Sequence, residues 1–276
     1  MRRLSTALIA AGLLGLAPSA APRAAEPGAE AMAAHRAAYR LTLDRSRDNS
    51  IVRAEGAMVY EVVDACDGWA TRQRFTLVLT DRDGQNVDTA SDYSTYETKD
   101  GRKIRFSLTQ MSQGAVSQRV SGEAEVSPDG GGRVRYTDPE QKEEALPPGT
   151  LLPMLHTIRS LAAARAGSRM LVTPLFDGTS PDGAQDTTTV ISGWHGAQAN
   201  QRFPALSSLG SARMRVAFFD RDGGGKDKDA AGASAPDYEV GLRYFENGVA
   251  DELKMEFGEF SVNGRMEELA ILPGGC

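Results

Sequence analysis

Three histidines, two cysteines and two aspartate-rich turns are the residues whose types could carry chemistry in this 276-residue chain. A metal site built on His35, His156 or His195 needs more ligands nearby, and none of the three has a histidine or cysteine three to five residues away. His156 lies beside Leu155 in an apolar, helix-spaced stretch. There it is either a packed core histidine or, with a neighbouring carboxylate, the general base of a hydrolase acting on envelope polymers. His195 follows Trp194 near a turn and reads as a surface residue. Asp220-Arg221-Asp222-Gly223, with Asp227 and Asp229 beyond it, lacks the alternating register and closing glutamate of a calcium loop. Its near-copy Asp81-Arg82-Asp83-Gly84 points to a turn shared by two hairpins. Gly223-Gly224-Gly225-Lys226 has the wrong spacing for a phosphate loop. There is no Gly-x-Ser-x-Gly elbow. The pairs Glu143-Glu144 and Glu267-Glu268 are adjacent, and a strand turns adjacent side chains to opposite faces. The expectation is a non-enzymatic protein with no metal site and no cofactor.

The cysteines depend on compartment. Arg2 and Arg3 precede an apolar run from Leu4 to Leu16, and Pro18-Ser19-Ala20-Ala21 follows with small residues. That order predicts a secretory signal over residues 1–25, cut after Ala20, Ala21 or Ala25, and hence export to the periplasm. The run is shorter than the roughly 20 residues that span a bilayer, so no transmembrane anchor is expected. Losing Arg2 and Arg3 takes the formal charge from −6 to about −8, which argues against nucleic acid as a partner. In an oxidising space Cys66 and Cys276 most simply pair with each other, the alternatives being two separate thiols or a bridge between molecules. No Cys-x-x-Cys is present, so such a bridge would be structural.

The elements that must position these residues alternate with period two. Tyr39, Leu41 and Leu43 do so, as do Met58, Tyr60 and Val62, Ile104, Phe106 and Leu108, and Tyr238, Val240, Leu242 and Tyr244. Asp83-Gly84, Asp100-Gly101, Asn247-Gly248 and Asn263-Gly264 supply tight-turn chemistry between runs. About a dozen mostly antiparallel strands are predicted, in one domain from residue 30 to 276. The exception is Thr150 to Ala166, where Leu152, Leu155, Ile158 and Leu161 recur at helical spacing, with Thr150 to cap, Pro153 in the first turn and Gly167 to end it. Composition predicts mobile loops at Asp177 to Asp186 and Asp220 to Pro236. Met58, Met154, Met170, Met214, Met255 and Met266 add adaptable side chains to the apolar face of a curved sheet, which is either a solid core or a groove for an acyl chain or apolar peptide.

Several pieces in order carry a resemblance: Gly56-Ala57-Met58-Val59-Tyr60 leading to Cys66-Asp67-Gly68-Trp69, Leu146-Pro147-Pro148-Gly149-Thr150, Leu175-Phe176-Asp177-Gly178, Arg243-Tyr244-Phe245-Glu246-Asn247-Gly248, and the terminal Cys276. Together they resemble the EipB family of periplasmic cell-envelope integrity proteins, over nearly the whole exported chain. The resemblance implies a mainly β fold, a single antiparallel β-spiral or incomplete barrel with one amphipathic helix, similar to the lipoprotein carriers LolA and LolB. It implies a disulfide between the positions matching Cys66 and Cys276. It also implies support of envelope integrity; the partners expected on that footing are a lipid or lipoprotein acyl chain, or other periplasmic envelope proteins, the shape shared with the carriers being an analogy. The chain departs from the pattern in its glycine- and lysine-rich insertion at Asp220 to Pro236.

Overall fold

A computed structural model describes residues 27–127, 131–221 and 235–275. The predicted signal, the centre of the insertion at Asp220 to Pro236 and Cys276 lie outside the described residues. Fourteen strands form one antiparallel sheet, close to the dozen expected. The chain begins in its middle. Strand β1 (His35–Ser46) is followed outward by β2 (Ile51–Asp64), β3 (Gly68–Asp81), β4 (Asn86–Thr98), β5 (Lys103–Ser112), β6 (Ala115–Val126), β7 (Gly132–Asp138) and β8 (Lys142–Leu146), each pairing with the one before. A helix, α1 (Pro153–Arg165), then carries the chain to the opposite edge. From there β9 (Met170–Leu175), β10 (Gln185–His195), β11 (Ser211–Phe219), β12 (Tyr238–Phe245), β13 (Ala250–Glu256) and β14 (Phe260–Ile271) step back until β14 pairs with β1. Edges β8 and β9 form no ladder. The segment after β8 touches β9 instead: Leu151 makes a parallel bridge to Leu175, its N–H donating to Pro174 O at 2.9 Å, and Thr173 donates its hydroxyl to Gly149 O at 2.8 Å. The result is an incomplete barrel.

Alternation is what rolls the sheet. In β5, Ile104, Phe106 and Leu108 are buried while Lys103, Arg105 and Ser107 are exposed, so one face must find cover. Curvature also needs strands to approach closely where a side chain would intervene. A Cβ on Gly56 would lie 2.0 Å from Thr76 O, and one on Gly122 2.2 Å from Arg135 O. Glycine inside a strand is ordinarily unfavourable and marks such approaches. Two packed cores result. The larger gathers Leu41, Val62, Met214 and Met266 with the helix residues Ile158 and Leu161. The smaller packs Ile104, Phe106, Val120 and Val134 around Phe176, whose ring meets those of Phe106 and Tyr136 edge to face.

Helix α1 covers one end of the roll: Ile158 reaches Gly28, Leu155 reaches Gly101, and Arg165 pairs with Glu246. Its start departs from expectation. Thr150 donates its hydroxyl to Pro147 O at 2.7 Å, the helix begins at Pro153, and Leu152 makes no side-chain cap. The free N–H groups of Met154 and Leu155 instead donate to Glu97 of β4, at 2.8 and 3.0 Å. An acceptor there satisfies N–H groups of the first turn that have no partner within the helix. Gly167 ends the helix in the left-handed region, as its position predicts.

Two further expectations are corrected. The stretch Asp177 to Asp186 is pinned rather than loose: Tyr136 accepts from Gly183 N–H at 2.9 Å and donates to Ser180 O, and Phe176 is fully buried. Met170 does not join the inner apolar face; it is 58% exposed on edge strand β9.

Candidate ligand chamber

Strand register sets side chains in rows. Tyr60 of β2 lies opposite Gln73 of β3, which faces Tyr93 of β4, which faces Leu108 of β5. The next row on the same face runs Tyr39, Met58, Phe75, Ser91, Gln110. Across the roll, Tyr238, Val240, Leu242 and Tyr244 of β12 project inward by the same alternation, with Leu253 and Met255 of β13 beside them. The two walls do not meet. Between them is a chamber of about 530 Å³, closed by Met154 and Thr157 of α1 and by Asp177 and Thr179 of the segment after β9. That volume lies within the roughly 300–1,000 Å³ usual for small-molecule sites.

Five of the chain's seven tyrosines line the chamber. Tyr39 donates to Ala250 O at 2.7 Å, Tyr93 donates to Asp177 O, and the Tyr244 hydroxyl accepts from Thr157. Burial raises the phenol pKa of Tyr39, Tyr60, Tyr93, Tyr238 and Tyr244, so all five stay neutral. These rings lie deep in the fold, and the surface that Tyr60, Tyr93, Tyr238 and Tyr244 keep is the surface they turn to the chamber. His35 also lines it; its Nδ1 hydrogen-bonds Ala33 O at 2.8 Å, its Nε2 is buried without a partner, and desolvation lowers its pKa.

Asp177 is the one carboxyl among the lining residues. Its Oδ1 accepts from the backbone N–H and hydroxyl of Thr179 at 2.9 and 2.8 Å, while Oδ2 has no partner among the described residues. Burial holds its pKa above the ordinary aspartate value, against those two hydrogen bonds. Its place on the chamber wall follows from its neighbours. Phe176 is anchored in the smaller core, and a Cβ on Gly178, where φ is +75°, would strike Phe106 at 2.4 Å. The chain therefore turns sharply, with Asp177 between two fixed points.

The sequence-predicted residues fall elsewhere. His156 is buried on α1 with Nε2 3.0 Å from Thr189 Oγ1, and desolvation pushes its pKa down to about 4. It is not a lining residue, and its imidazole is packed in the fold with the Thr189 hydroxyl as its partner. His195 is exposed. Cys66 lies in the β2–β3 turn at φ +71°, its Sγ 3.8 Å from Gly275 O. No group of three or more potential metal ligands forms among the described residues. Asp177 and the tyrosine lining escaped a search for catalytic patterns because they form no short motif; the acid-glycine step of Leu175-Phe176-Asp177-Gly178 and the Tyr238 to Tyr244 alternation were the signals available.

Comparison with known proteins places these features in a group. A family model described as EipB-like matches residues 26–273. The cell envelope integrity protein EipB of Brucella abortus (strain 2308) is 30% identical over 241 residues, covering 85% of this chain and 82% of that protein. The crystal structure of a beta-barrel-like protein of a domain of unknown function, DUF1849, also from Brucella abortus, superimposes with a TM-score of 0.76 at 27% identity, over 88% of this chain and 99% of the other.

Proposed function

The chain belongs to the EipB-like family, and from that premise we propose that it supports the integrity of the cell envelope by holding an apolar ligand, a lipid or lipoprotein acyl chain, in its chamber. The observation that carries this reading is a chamber of about 530 Å³ with a largely apolar lining, where protein interiors ordinarily pack with few voids larger than a water molecule. Methionines 32, 58, 154 and 255 on its walls suit a ligand of variable shape. The role proposed is binding rather than bond-making: the hydroxyl and carboxyl that do meet in the lining, Thr179 and Asp177, belong to a local turn in which the Thr179 N–H and hydroxyl both donate to Asp177 Oδ1.

The same reading puts the protein in the periplasm, with its N-terminal signal removed on export after residue 20, 21 or 25. No helix among the described residues is long and apolar enough to cross a membrane. Native mass spectrometry of protein taken from the periplasm tests both parts. The expected spectrum shows a mature chain cut after residue 20, 21 or 25, carrying a lipid-sized adduct that is lost in Val240→Trp, which fills the chamber. An unprocessed chain would remove the location, and bare protein in every preparation, with no uptake of a fluorescent fatty acid, would remove the ligand.

A further inference from the structure

We propose that the chamber selects a single-chain amphiphile whose head is uncharged and hydrogen-bonding, a hydroxyl or amide, seated against Asp177. The inference rests on the chamber being a ligand site and goes further by naming the head group.

The lining is uneven. Met58, Val240, Leu242, Leu253 and Met255 offer only apolar contact, while Gln73, Ser91 and Gln110 put polar groups on the wall formed by β3, β4 and β5, Ser91 opposite Gln110 and Gln73 in the adjacent row opposite Tyr93. Asp177 and Thr179 continue that polar stretch, since Tyr93 of β4 donates to Asp177 O and Gln118 of β6 reaches Thr179 O. An entirely apolar ligand would leave these groups facing hydrocarbon, and a buried polar group without a partner is expensive. An acyl chain against the methionines with a polar head against Asp177 satisfies both stretches.

Charge decides the class of head. No lysine or arginine lines the chamber among the described residues. The titratable groups facing it are the five neutral tyrosines, His35 and Asp177, and burial keeps His35 uncharged. An anionic head, whether carboxylate or phosphate, finds no counter-ion among the lining residues. A cationic head would pair with Asp177 only if that group ionised, which its burial opposes. A hydroxyl or amide meets neither obstacle, because it can donate to Oδ2 or accept from it and from the glutamine amides.

Three probes of one chain length separate these cases: monopalmitoylglycerol, palmitate and palmitylamine, competed at pH 7 against a fluorescent probe on the full mature protein. Monopalmitoylglycerol should bind about tenfold or more tighter than either charged probe. Asp177→Asn, which keeps the acceptor for Thr179 and an uncharged hydrogen-bonding side chain, should change monopalmitoylglycerol affinity less than about threefold and leave palmitate the weaker ligand. Gln110→Lys, which supplies a counter-ion on the same wall, should raise palmitate affinity about tenfold. Equal binding of the three probes, or tighter binding of a charged one, overturns the head-group assignment and leaves the chamber as an acyl-chain site. Binding of none overturns both.

Discussion

A single carboxyl sets how the end of the molecule responds to pH. Glu97 is 1% exposed, and burial pushes its pKa up to about 8, against the two N–H donors of α1 that lower it. In the unfolded chain the same group titrates near its ordinary 4.5. The folded state therefore binds the extra proton between those values. The stability it lends is full below pH 4.5 and is lost as pH rises through 8, a contribution on the order of a few kcal/mol. Glu97→Gln should flatten the fall in denaturant midpoint between pH 5 and pH 9 and differ little from wild type at pH 5. Parallel slopes in the two proteins would show that this group does not control the response. Glu97→Ala leaves two helix N–H groups without an acceptor and should lose about 1–3 kcal/mol at pH 5, a deficit that shrinks as pH rises toward 8. Nothing in the sequence around Glu97 marks it, because its partners lie 57 and 58 positions along the chain. Thr150, the cap that local pattern offers, is spent on Pro147.

Elements were legible where their cause is local. Period-two alternation and the Asp-Gly and Asn-Gly turns locate the strands because burial on one face acts residue by residue. The loop after β9 was misread for the opposite reason. Its polar, glycine-containing composition suggests mobility, but Tyr93, Gln118 and Tyr136, all from strands distant in sequence, hold it down. Curvature is likewise hidden, since a strand glycine reads as a weakness until the neighbouring backbone is seen against it. Gly56→Ala should therefore destabilise the protein by about 1–3 kcal/mol, because Thr76 O occupies the place of the new methyl and two central strands must part. Gly196→Ala, where nothing lies within 4 Å, should stay within about 0.5 kcal/mol. Matching midpoints for the two variants in chemical denaturation would mean that the sheet absorbs the methyl and that close approach is not what bends it.

At the scale of the whole molecule the first and last strands are neighbours, so the seam joining the chain's beginning to its end runs through the middle of the sheet. Beyond β14, Leu272 N–H donates to Ala34 O at 2.8 Å, and Gly275 O lies 3.8 Å from Cys66 Sγ. A disulfide from Cys66 to Cys276, the pairing the cysteine count and the family resemblance both suggest, is our proposal for how that seam is held. It would close a ring of about 210 residues, worth up to roughly 5 kcal/mol if its whole effect is denatured-state entropy. The open edges β8 and β9 lie inside the ring, so the clasp limits how far the roll can unwind without touching either edge. Cys276→Ser should lower the denaturant midpoint by the equivalent of a few kcal/mol and leave the far-UV spectrum unchanged. Limited proteolysis should then cut first near β14, whose pairing with β1 has lost its covalent support. Reductant should produce the same shift in wild type and none in the variant. An intact mass without the loss of two hydrogens, or equal midpoints with and without reductant, would leave the β1–β14 ladder alone to hold the seam.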